Sequence, residues 1–309
     1  MQTIEGLMFA VVNAEPIQSD RIVCCLRYIP VADGLRKITT SDAIAYLQAN
    51  HPQYLYHFEQ LDTLVHAVPL SAIQCHYQPV SRLQQICEQP LDDIEESTEQ
   101  VAAFFISQGI DSNSLGISGS ILISAHGAQS DIDLVVYGRD NFFKARNSLQ
   151  QLFMSLQTQH LIQPLSDEQW QQTWQRRGCD LSLKDYIWHE QRKYNKASIN
   201  GIKFDLTLVE FQIIDHQIYH KQGIYELKAL ITDDSKAYDY PTSYQIDHPN
   251  VAQILSYSAT YTGQACNGES IEARGVLEKS AKGDCRLLVG TSREASGEFL
   301  KVFRPTDGR

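Results

Sequence analysis

Two acidic residues stand at the beginning of a strongly apolar segment, and this pairing limits how the chain can fold more than any other feature. Asp131 and Asp133 lead into Leu134, Val135 and Val136. Residues two apart in a β-strand lie on the same face, so the sequence predicts two neighbouring carboxylates on a strand that enters the core. Their repulsion is costly unless a cation lies between them. The alternative is a surface strand with an acidic outer face.

A Gly-Ser pair, Gly119-Ser120, precedes the two carboxylates with ten residues between them. It follows a short predicted strand at 115–118, so we expect it at a strand end before a short helix. Glycine lets the backbone approach a phosphate closely, and nearby amides and the serine hydroxyl can donate hydrogen bonds to phosphate oxygens. Such dipeptides are common in turns. The prediction of an anion-binding cradle therefore depends on its combination with the acidic pair.

Asp205 adds a third carboxylate, inside the alternating apolar segment 201–210. This alternation predicts a strand. If the strand neighbours that of Asp131 and Asp133, three carboxylates converge. Two divalent metals about 3.5–4 Å apart could then clamp the attacking and leaving oxygens of an in-line displacement. A solvent-facing position, or a pair with Lys203 at a sheet edge, is the alternative interpretation of Asp205.

This pattern resembles the motif of the DNA polymerase β-like nucleotidyltransferase superfamily. The motif consists of Gly-Ser, about ten further residues, Asp-x-Asp and an aspartate on a later strand. The segment SGS…SDIDLVVYG looks especially like its minimal, archaeal- or bacterial-type predicted nucleotidyltransferases of uncharacterised function. The close match covers 115–138 and, with the helices between, extends to Asp205. The resemblance implies a mixed sheet with helices and a Mg²⁺ (or Mn²⁺) cofactor. It also implies transfer of a nucleoside monophosphate from a nucleoside triphosphate, such as ATP, to an acceptor hydroxyl with release of pyrophosphate.

The resemblance assigns a role to each matched residue. Gly119 and Ser120 would hold the β- and γ-phosphates of the nucleotide. Asp131 and Asp133 would bind both metals, and Asp205 would bind the catalytic metal and help to activate the acceptor hydroxyl. These three aspartates are the predicted catalytic and metal-binding residues.

The chain departs from the motif directly after Ser120. Many minimal members carry an arginine soon after Gly-Ser, whereas the apolar run 121–123 follows here. A triphosphate must then find its guanidinium or ammonium partner elsewhere, or the fold is a catalytically inactive module that binds a nucleotide or a partner. We expect Arg192 and Lys193 to bind phosphate, although a solvated helix face is the alternative for each of them. Further candidate cations are Lys144, Arg146, Arg176, Arg177 and Lys196.

The flanking segments predict an α+β protein of three parts. Residues 1–88 are typical of a small mixed α/β module, residues 89–225 of the nucleotidyltransferase core with a connecting helix, and residues 226–309 of a β-rich module. The strands expected in the last part are spaced like a small barrel or sandwich, and segment 275–290 predicts a hairpin. Such a module suits the binding of an acceptor or partner.

Composition narrows the choice of partner and compartment. The net charge of −11 argues against strong sequence-blind binding of nucleic acid, although an RNA 3′ end, a protein side chain and a small molecule all remain open as acceptors. No apolar run approaches the roughly 18 residues that span a bilayer, and the N-terminus lacks the basic flank of a signal peptide. The cysteines are irregularly spaced. We therefore predict a cytoplasmic protein without a membrane partner.

Overall fold

The structure is a computed structural model that describes residues 1–11, 20–59, 62–155, 160–210, 217–291 and 296–303. Within these residues, seven α-helices and three β-sheets form the fold. Each sheet packs on its own cluster of buried apolar side chains. The α+β class expected from the sequence is confirmed.

The N-terminal sheet is antiparallel in all its described pairings. Its strands are β1 (Gln2–Thr3), β2 (Met8–Val11), β3 (Arg21–Val31), β4 (Gly34–Lys37), β5 (Leu55–Phe58), β6 (Thr63–Pro69) and β7 (Ile73–Cys75). The order is β5-β6-β3-β2-β1-β7, with β4 paired to β3. Helix α1 (Thr40–Asn50) buries Leu47 against this sheet.

The central sheet carries the three predicted aspartates. It has the order β10-β11-β12-β9-β8, in which only β9 and β12 are parallel to each other. Its strands are β8 (Leu115–Ile117), β9 (Ile132–Tyr137), β10 (Ile162–Gln163), β11 (Lys196–Ile199) and β12 (Ile202–Val209). The helices of this part are α2 (Pro79–Glu88), α3 (Asp93–Ser107), α4 (Gly119–Leu122), α5 (Arg139–Met154), α6 (Asp167–Arg177) and α7 (Leu183–Gln191).

Alternation along β9 explains why its acidic side chain lies away from the core. Ile132, Leu134 and Val136 are fully buried in the central apolar cluster, and Asp133 is only partly buried. Because successive strand residues point to opposite faces, Asp133 lies on the face opposite that cluster. One face of the central sheet thus stabilises the fold and the other carries polar groups.

The C-terminal sheet closes on itself. Its strands are β13 (Tyr219–Asp233), β14 (Thr242–Asp247), β15 (Gln253–Ser256), β16 (Ser270–Ser280), β17 (Cys285–Leu288) and β18 (Phe299–Val302). Because β13 pairs with both β14 and β16, five strands form a closed ring in the order β13-β14-β15-β17-β16. β18 pairs with the first part of β16, and β17 pairs with the last part. Antiparallel β16 and β17 are the predicted hairpin. This closed sheet, in which β15 and β17 are parallel, has the connectivity of an OB-fold barrel. Of the barrel and the sandwich considered from the sequence, the C-terminal part is therefore a barrel.

The boundaries of the three parts differ from those expected. Leu83 and Ile86 of α2 belong to the central apolar cluster, so the N-terminal part ends before α2 and not at residue 88. The boundary expected between residues 225 and 226 falls inside β13, whose register with β16 is nearly continuous. Trp170 and Tyr186, on α6 and α7, pack into the apolar cluster of the barrel. The central part and the barrel are therefore joined through these two helices.

Candidate active site

The three predicted aspartates converge on one face of the central sheet. Parallel β9 and β12 place Asp133 and Asp205 as direct cross-strand partners. Asp131 lies one residue before β9. Its Oδ2 atom is 3.3 Å from Nζ of Lys203, and the same ammonium is 2.9 Å from Oδ2 of Asp205. Because β12 has neighbours on both sides, the pair of Asp205 with Lys203 is an interior feature and not the edge contact considered from the sequence.

Gly119 lies directly against the Asp133 carboxylate. A Cβ atom built on Gly119 would come within 2.1 Å of Oδ2 of Asp133, and the residue has a φ of +65°. Both facts require glycine, because other residues rarely adopt this backbone conformation and because this position has no room for a side chain. From the sequence, glycine is expected here because it lets the backbone approach a phosphate closely. In the structure, the backbone of Gly119 also closely approaches the Asp133 carboxylate.

Ser120 follows in the first turn of α4 and is partly exposed. Its hydroxyl lies 3.3 Å from that of Ser130, and the Ser130 hydroxyl accepts a hydrogen bond from the Gly127 amide at 3.0 Å. Gly119 is exposed to solvent. The segment from Gly119 to Asp131 is therefore a folded loop whose first two residues are accessible from the side that carries the aspartates.

Cations surround the aspartates. Lys203 is almost fully buried; burial alone would lower its pKa, but Asp205 and Asp131 outweigh burial and raise it. Arg176 donates to Oδ2 of Asp131 at 3.0 Å. For Asp205, burial would raise the pKa, and the charges of Lys203, Lys196 and others turn the balance so that the pKa is lowered. Asp205 is thus held as an ionised carboxylate.

Asp133 is the least compensated member of the cluster. No ion pair among the described residues reaches it. Burial, with further contributions from Asp205 and Asp131, raises its pKa to about 6. In addition, Oδ1 of Asp205 is buried without a hydrogen-bond partner in the described part of the chain. Carboxylate oxygens that lack donors are the ligands that Mg²⁺ and Mn²⁺ prefer, so the residues present fit a divalent cation.

The structure does not bring Arg192 and Lys193 to this cluster. Arg192 points towards the barrel, where it pairs with Glu269. Lys193 is 1% exposed, pairs with Glu190 and donates to the carbonyl of Thr260 at 2.8 Å. Burial lowers the pKa of Lys193 to about 8. The expected phosphate-binding role of both residues is therefore corrected, because their charges are engaged within the protein.

Other basic residues named from the sequence do lie near the aspartates. Arg176 contacts Asp131, and Lys196 is the cross-strand partner of Asp205. The charge of Arg177 lowers the pKa of Asp205. Lys203 was considered only as an alternative partner of Asp205. Its position two residues before Asp205 on the same strand puts both on one face, a signal already present in the sequence.

A network of polar contacts around Arg82 anchors the loop, and this network was not predicted from the sequence. Arg82, on α2, donates to the carbonyl of Ile121 at 3.3 Å and pairs with the buried Glu95 of α3. His126 of the loop lies 2.8 Å from Oδ2 of Asp92. These two carboxylates and the imidazole lie close enough to hold a metal ion. However, Asp92 caps α3 through Oδ1 and Glu95 is neutralised by Arg82, so the cluster anchors the loop.

The fold and the site define a class of α+β proteins in which three aspartates meet on adjacent parallel strands, opposite a Gly-Ser turn. The chain is 32% identical over 337 residues to the "Uncharacterized protein MJ1086" of Methanocaldococcus jannaschii, and the match covers 98% of each chain. It belongs to the same family as that archaeal protein. No model of a known protein family matches the chain, and no solved structure matches it. None of the described helices is both long and apolar enough to cross a membrane.

Proposed function

We propose that the protein is a metal-dependent nucleotidyltransferase, which moves a nucleoside monophosphate from a nucleoside triphosphate to an acceptor hydroxyl and releases pyrophosphate. The observation that carries this proposal is the direct pairing of Asp133 with Asp205 beside Asp131, with one buried carboxylate oxygen left without a partner. Such a cluster repels itself unless cations are present. It is the ligand set expected for divalent ions in phosphoryl chemistry.

The residues around the cluster have complementary roles. Asp131, Asp133 and Asp205 would hold Mg²⁺ or Mn²⁺, which when bound neutralises charge on the phosphates and lowers the pKa of a nearby hydroxyl. The accessible backbone of Gly119 and the Ser120 hydroxyl donate to phosphate oxygens. Asp205 accepts the proton of the acceptor hydroxyl. Catalysis then consists mainly of positioning and charge stabilisation.

Two cations replace the arginine that many relatives of this motif carry after Gly-Ser. Ile121, which follows Gly-Ser here, is fully buried in the central apolar cluster. The positive charge near Asp131 comes from Lys203 and Arg176. With a divalent ion at the aspartates, Lys203 and Arg176 would be available to contact the triphosphate in place of Asp131. The side chain of Arg176 is 54% exposed, so its guanidinium can be reached by a ligand.

Activity measurements with matched variants test the proposal. Purified protein is incubated with Mn²⁺ or Mg²⁺, each of four labelled nucleoside triphosphates, and separate pools of RNA, protein and small-molecule acceptors. Wild type is expected to release pyrophosphate, and the double variant Asp131→Ala/Asp133→Ala to lose this activity. The control, Asp247→Ala, removes an exposed carboxylate of the barrel and should retain activity. Equal turnover in wild type and the double variant contradicts the proposal.

A second candidate is an inactive module that binds the nucleotide or a partner. The observation that favours it is that Lys203 and Arg176 already neutralise much of the aspartate charge. On this account the triphosphate binds and is not turned over. Release of pyrophosphate that depends on Mn²⁺ or Mg²⁺ eliminates this candidate, whereas metal-dependent binding without release in every acceptor pool supports it.

A further inference from the structure

A cavity of about 330 Å³ lies where the edge of the central sheet meets α6 and α7. Four of its wall side chains are aromatic: Phe153, Trp170, Trp188 and Tyr194. Arg192 also lines it and stacks on Trp188, with 4.6 Å between the guanidinium carbon and the ring centroid. Flat aromatic rings and stacked guanidinium groups are the surfaces on which nucleobases pack. The volume is within the range of small-ligand sites.

The charges at this cavity are already paired within the protein. Arg192 pairs with Glu269, and Lys196 with Glu190. The indole N–H of Trp170 is buried and has no acceptor among the described residues. A neutral ring system that carries an acceptor atom therefore matches these walls better than a phosphate group does.

The cavity lies within reach of the aspartates. Lys196 lines it, and the Cα atoms of Lys196 and Asp205 face each other across β11 and β12, about 5 Å apart. Helix α6 runs from Trp170 at the cavity to Arg176 at Asp131, a rise of about 9 Å along the helix. A sugar with its base can bridge such a span.

The strand order places the cavity and the Gly119-Ser120 turn towards opposite edges of the central sheet. Gly119 and Ser120 follow β8 at one edge of the sheet, whereas the cavity lies beyond Asp205, towards the edge formed by β10 and β11. In-line displacement puts the leaving and attacking oxygens on opposite sides of the phosphorus. If Gly119 and Ser120 hold the leaving phosphates, the attacking hydroxyl enters from the side of the cavity.

From this geometry we infer that the cavity is the acceptor subsite and that the acceptor carries a nucleobase, as the terminal nucleoside of an RNA or as a free nucleotide. The acceptor role rests on the proposed function. The acceptor oxygen bonds to the α-phosphorus, and the bond from that phosphorus to the bridging oxygen of the β-phosphate breaks. Pyrophosphate leaves with the electron pair, and the hydroxyl proton passes to Asp205 and then to water.

Binding measurements without metal test the cavity separately from turnover. The full chain, in EDTA, is titrated calorimetrically with AMP, GMP, CMP, UMP and a six-nucleotide RNA. Wild type should bind a nucleoside monophosphate or the RNA. Trp188→Leu should weaken that binding about ten-fold or more, the loss expected for one base-stacking ring. The control, Phe303→Leu, changes an aromatic side chain that is 44% exposed at the end of β18 and does not line the cavity; its affinity should equal that of wild type.

A second titration separates the acceptor from the nucleotide donor. A non-hydrolysable triphosphate with Mn²⁺ should bind Trp188→Leu and wild type within two-fold of each other. Binding of the RNA alone identifies an RNA end as the acceptor, and binding of monophosphates alone identifies a free nucleotide. The inference is overturned if no probe binds wild type, or if Trp188→Leu weakens the triphosphate equally. Base binding without transfer of any label would overturn the acceptor role and the proposed function, and leave the base-binding cavity intact.

Discussion

Asp133 is the residue whose ionisation would report most directly on the proposed metal site. Its carboxylate lies between Asp205 and the backbone of Gly119, and its pKa is raised to about 6 by burial and by the neighbouring carboxylates. A divalent ion requires the deprotonated form. Protons and the proposed metal ion would therefore compete for this group.

The pH dependence of metal affinity follows from this competition. We expect Mn²⁺ binding, measured by calorimetry, to weaken as the pH falls through about 6. The sign for stability is opposite. Because the folded pKa lies above the unfolded value, Asp133 stabilises the metal-free fold at low pH, and this contribution is lost as the pH rises from about 4 through about 6. Urea unfolding should show that decline in wild type and not in Asp133→Asn; identical pH profiles would contradict the assignment.

Gly119→Ala tests the close approach of the loop to Asp133. The new methyl group would have to displace the carboxylate, and a φ of +65° strains any residue but glycine. A displacement of about 1 Å in a catalytic group can cost about 100-fold in rate, and we expect a loss of at least that size in pyrophosphate release. Gly127→Ala is the control from the same loop, since a Cβ there meets nothing within 4 Å. Similar activity of the two variants would refute the account of Gly119.

Lys203→Met tests whether this ammonium competes with the metal. The substitution removes a cation from Asp131 and Asp205 and keeps the length of the side chain. At pH 8 we expect Mn²⁺ to bind about ten-fold more tightly, because opposite charge that had stabilised the carboxylates is gone. The affinity for a triphosphate should fall. If Lys203 had a purely structural role, Mn²⁺ would bind the variant more weakly. The direction of the change in Mn²⁺ affinity therefore distinguishes the two roles of Lys203.

Among single residues, the aspartates and the glycine were predictable, and the ion-pair partner of Arg192 was not. Asp131, Asp133 and Asp205 stand out because carboxylates interrupt apolar strands, which is a local signal. Arg192 pairs with Glu269, which lies 77 residues away, and no local pattern shows this partner. Lys193 pairs with Glu190 only three residues before it, but its second partner, the carbonyl of Thr260, is 67 residues away.

At the scale of elements, α2 and α3 act as a support for the loop that carries Gly119. The contact is made by Arg82, which reaches Ile121 and Glu95. Glu95 is 1% exposed and would be a buried, unpaired charge without Arg82. The N-terminal limit of the site is therefore α2, the helix that the sequence grouped with the preceding module.

Arg82→Gln should destabilise the protein by about 3 kcal/mol, the cost of leaving a buried carboxylate unpaired. The double variant Arg82→Gln/Glu95→Gln removes both charges and should recover part of that loss. Urea unfolding of wild type, the two single variants and the double variant gives the coupling free energy. Additive effects of the two substitutions would show that this ion pair does not anchor the loop.

Strands with one buried face could be predicted from the sequence, whereas a fully buried strand and a mostly exposed helix could not. Alternation in β9 and β12 is clear. In β11 all four residues are buried, so Lys196 and Ser198 hide the period. The preceding helix ends at Gln191, and Tyr194 has a left-handed φ of +50°. Helix α6 was missed because only Trp170 and Thr173 are buried on it.

For the whole molecule, the barrel contributes to the site through buried polar contacts with the central part. Lys193 donates to the carbonyl of Thr260, and His189 accepts a hydrogen bond from the Val302 amide at 3.1 Å. Arg139 donates to Asp239 at 2.6 Å. The closure of β13 on β16 and this docking depend on contacts between distant parts of the chain, which the spacing of strands could not predict. The barrel thereby fixes α7, whose Glu190 holds Lys196 opposite Asp205.

The three aspartates are proposed to form a metal and triphosphate site. Crystals of the full chain, soaked with Mn²⁺ and a non-hydrolysable triphosphate, test this proposal through anomalous scattering from manganese. We predict manganese between Asp131, Asp133 and Asp205, with phosphate density at Gly119 and Ser120 and with Lys203 or Arg176 turned towards it. Manganese only at Asp92, Glu95 and His126, or no manganese at the aspartates at saturating concentration, would contradict the account.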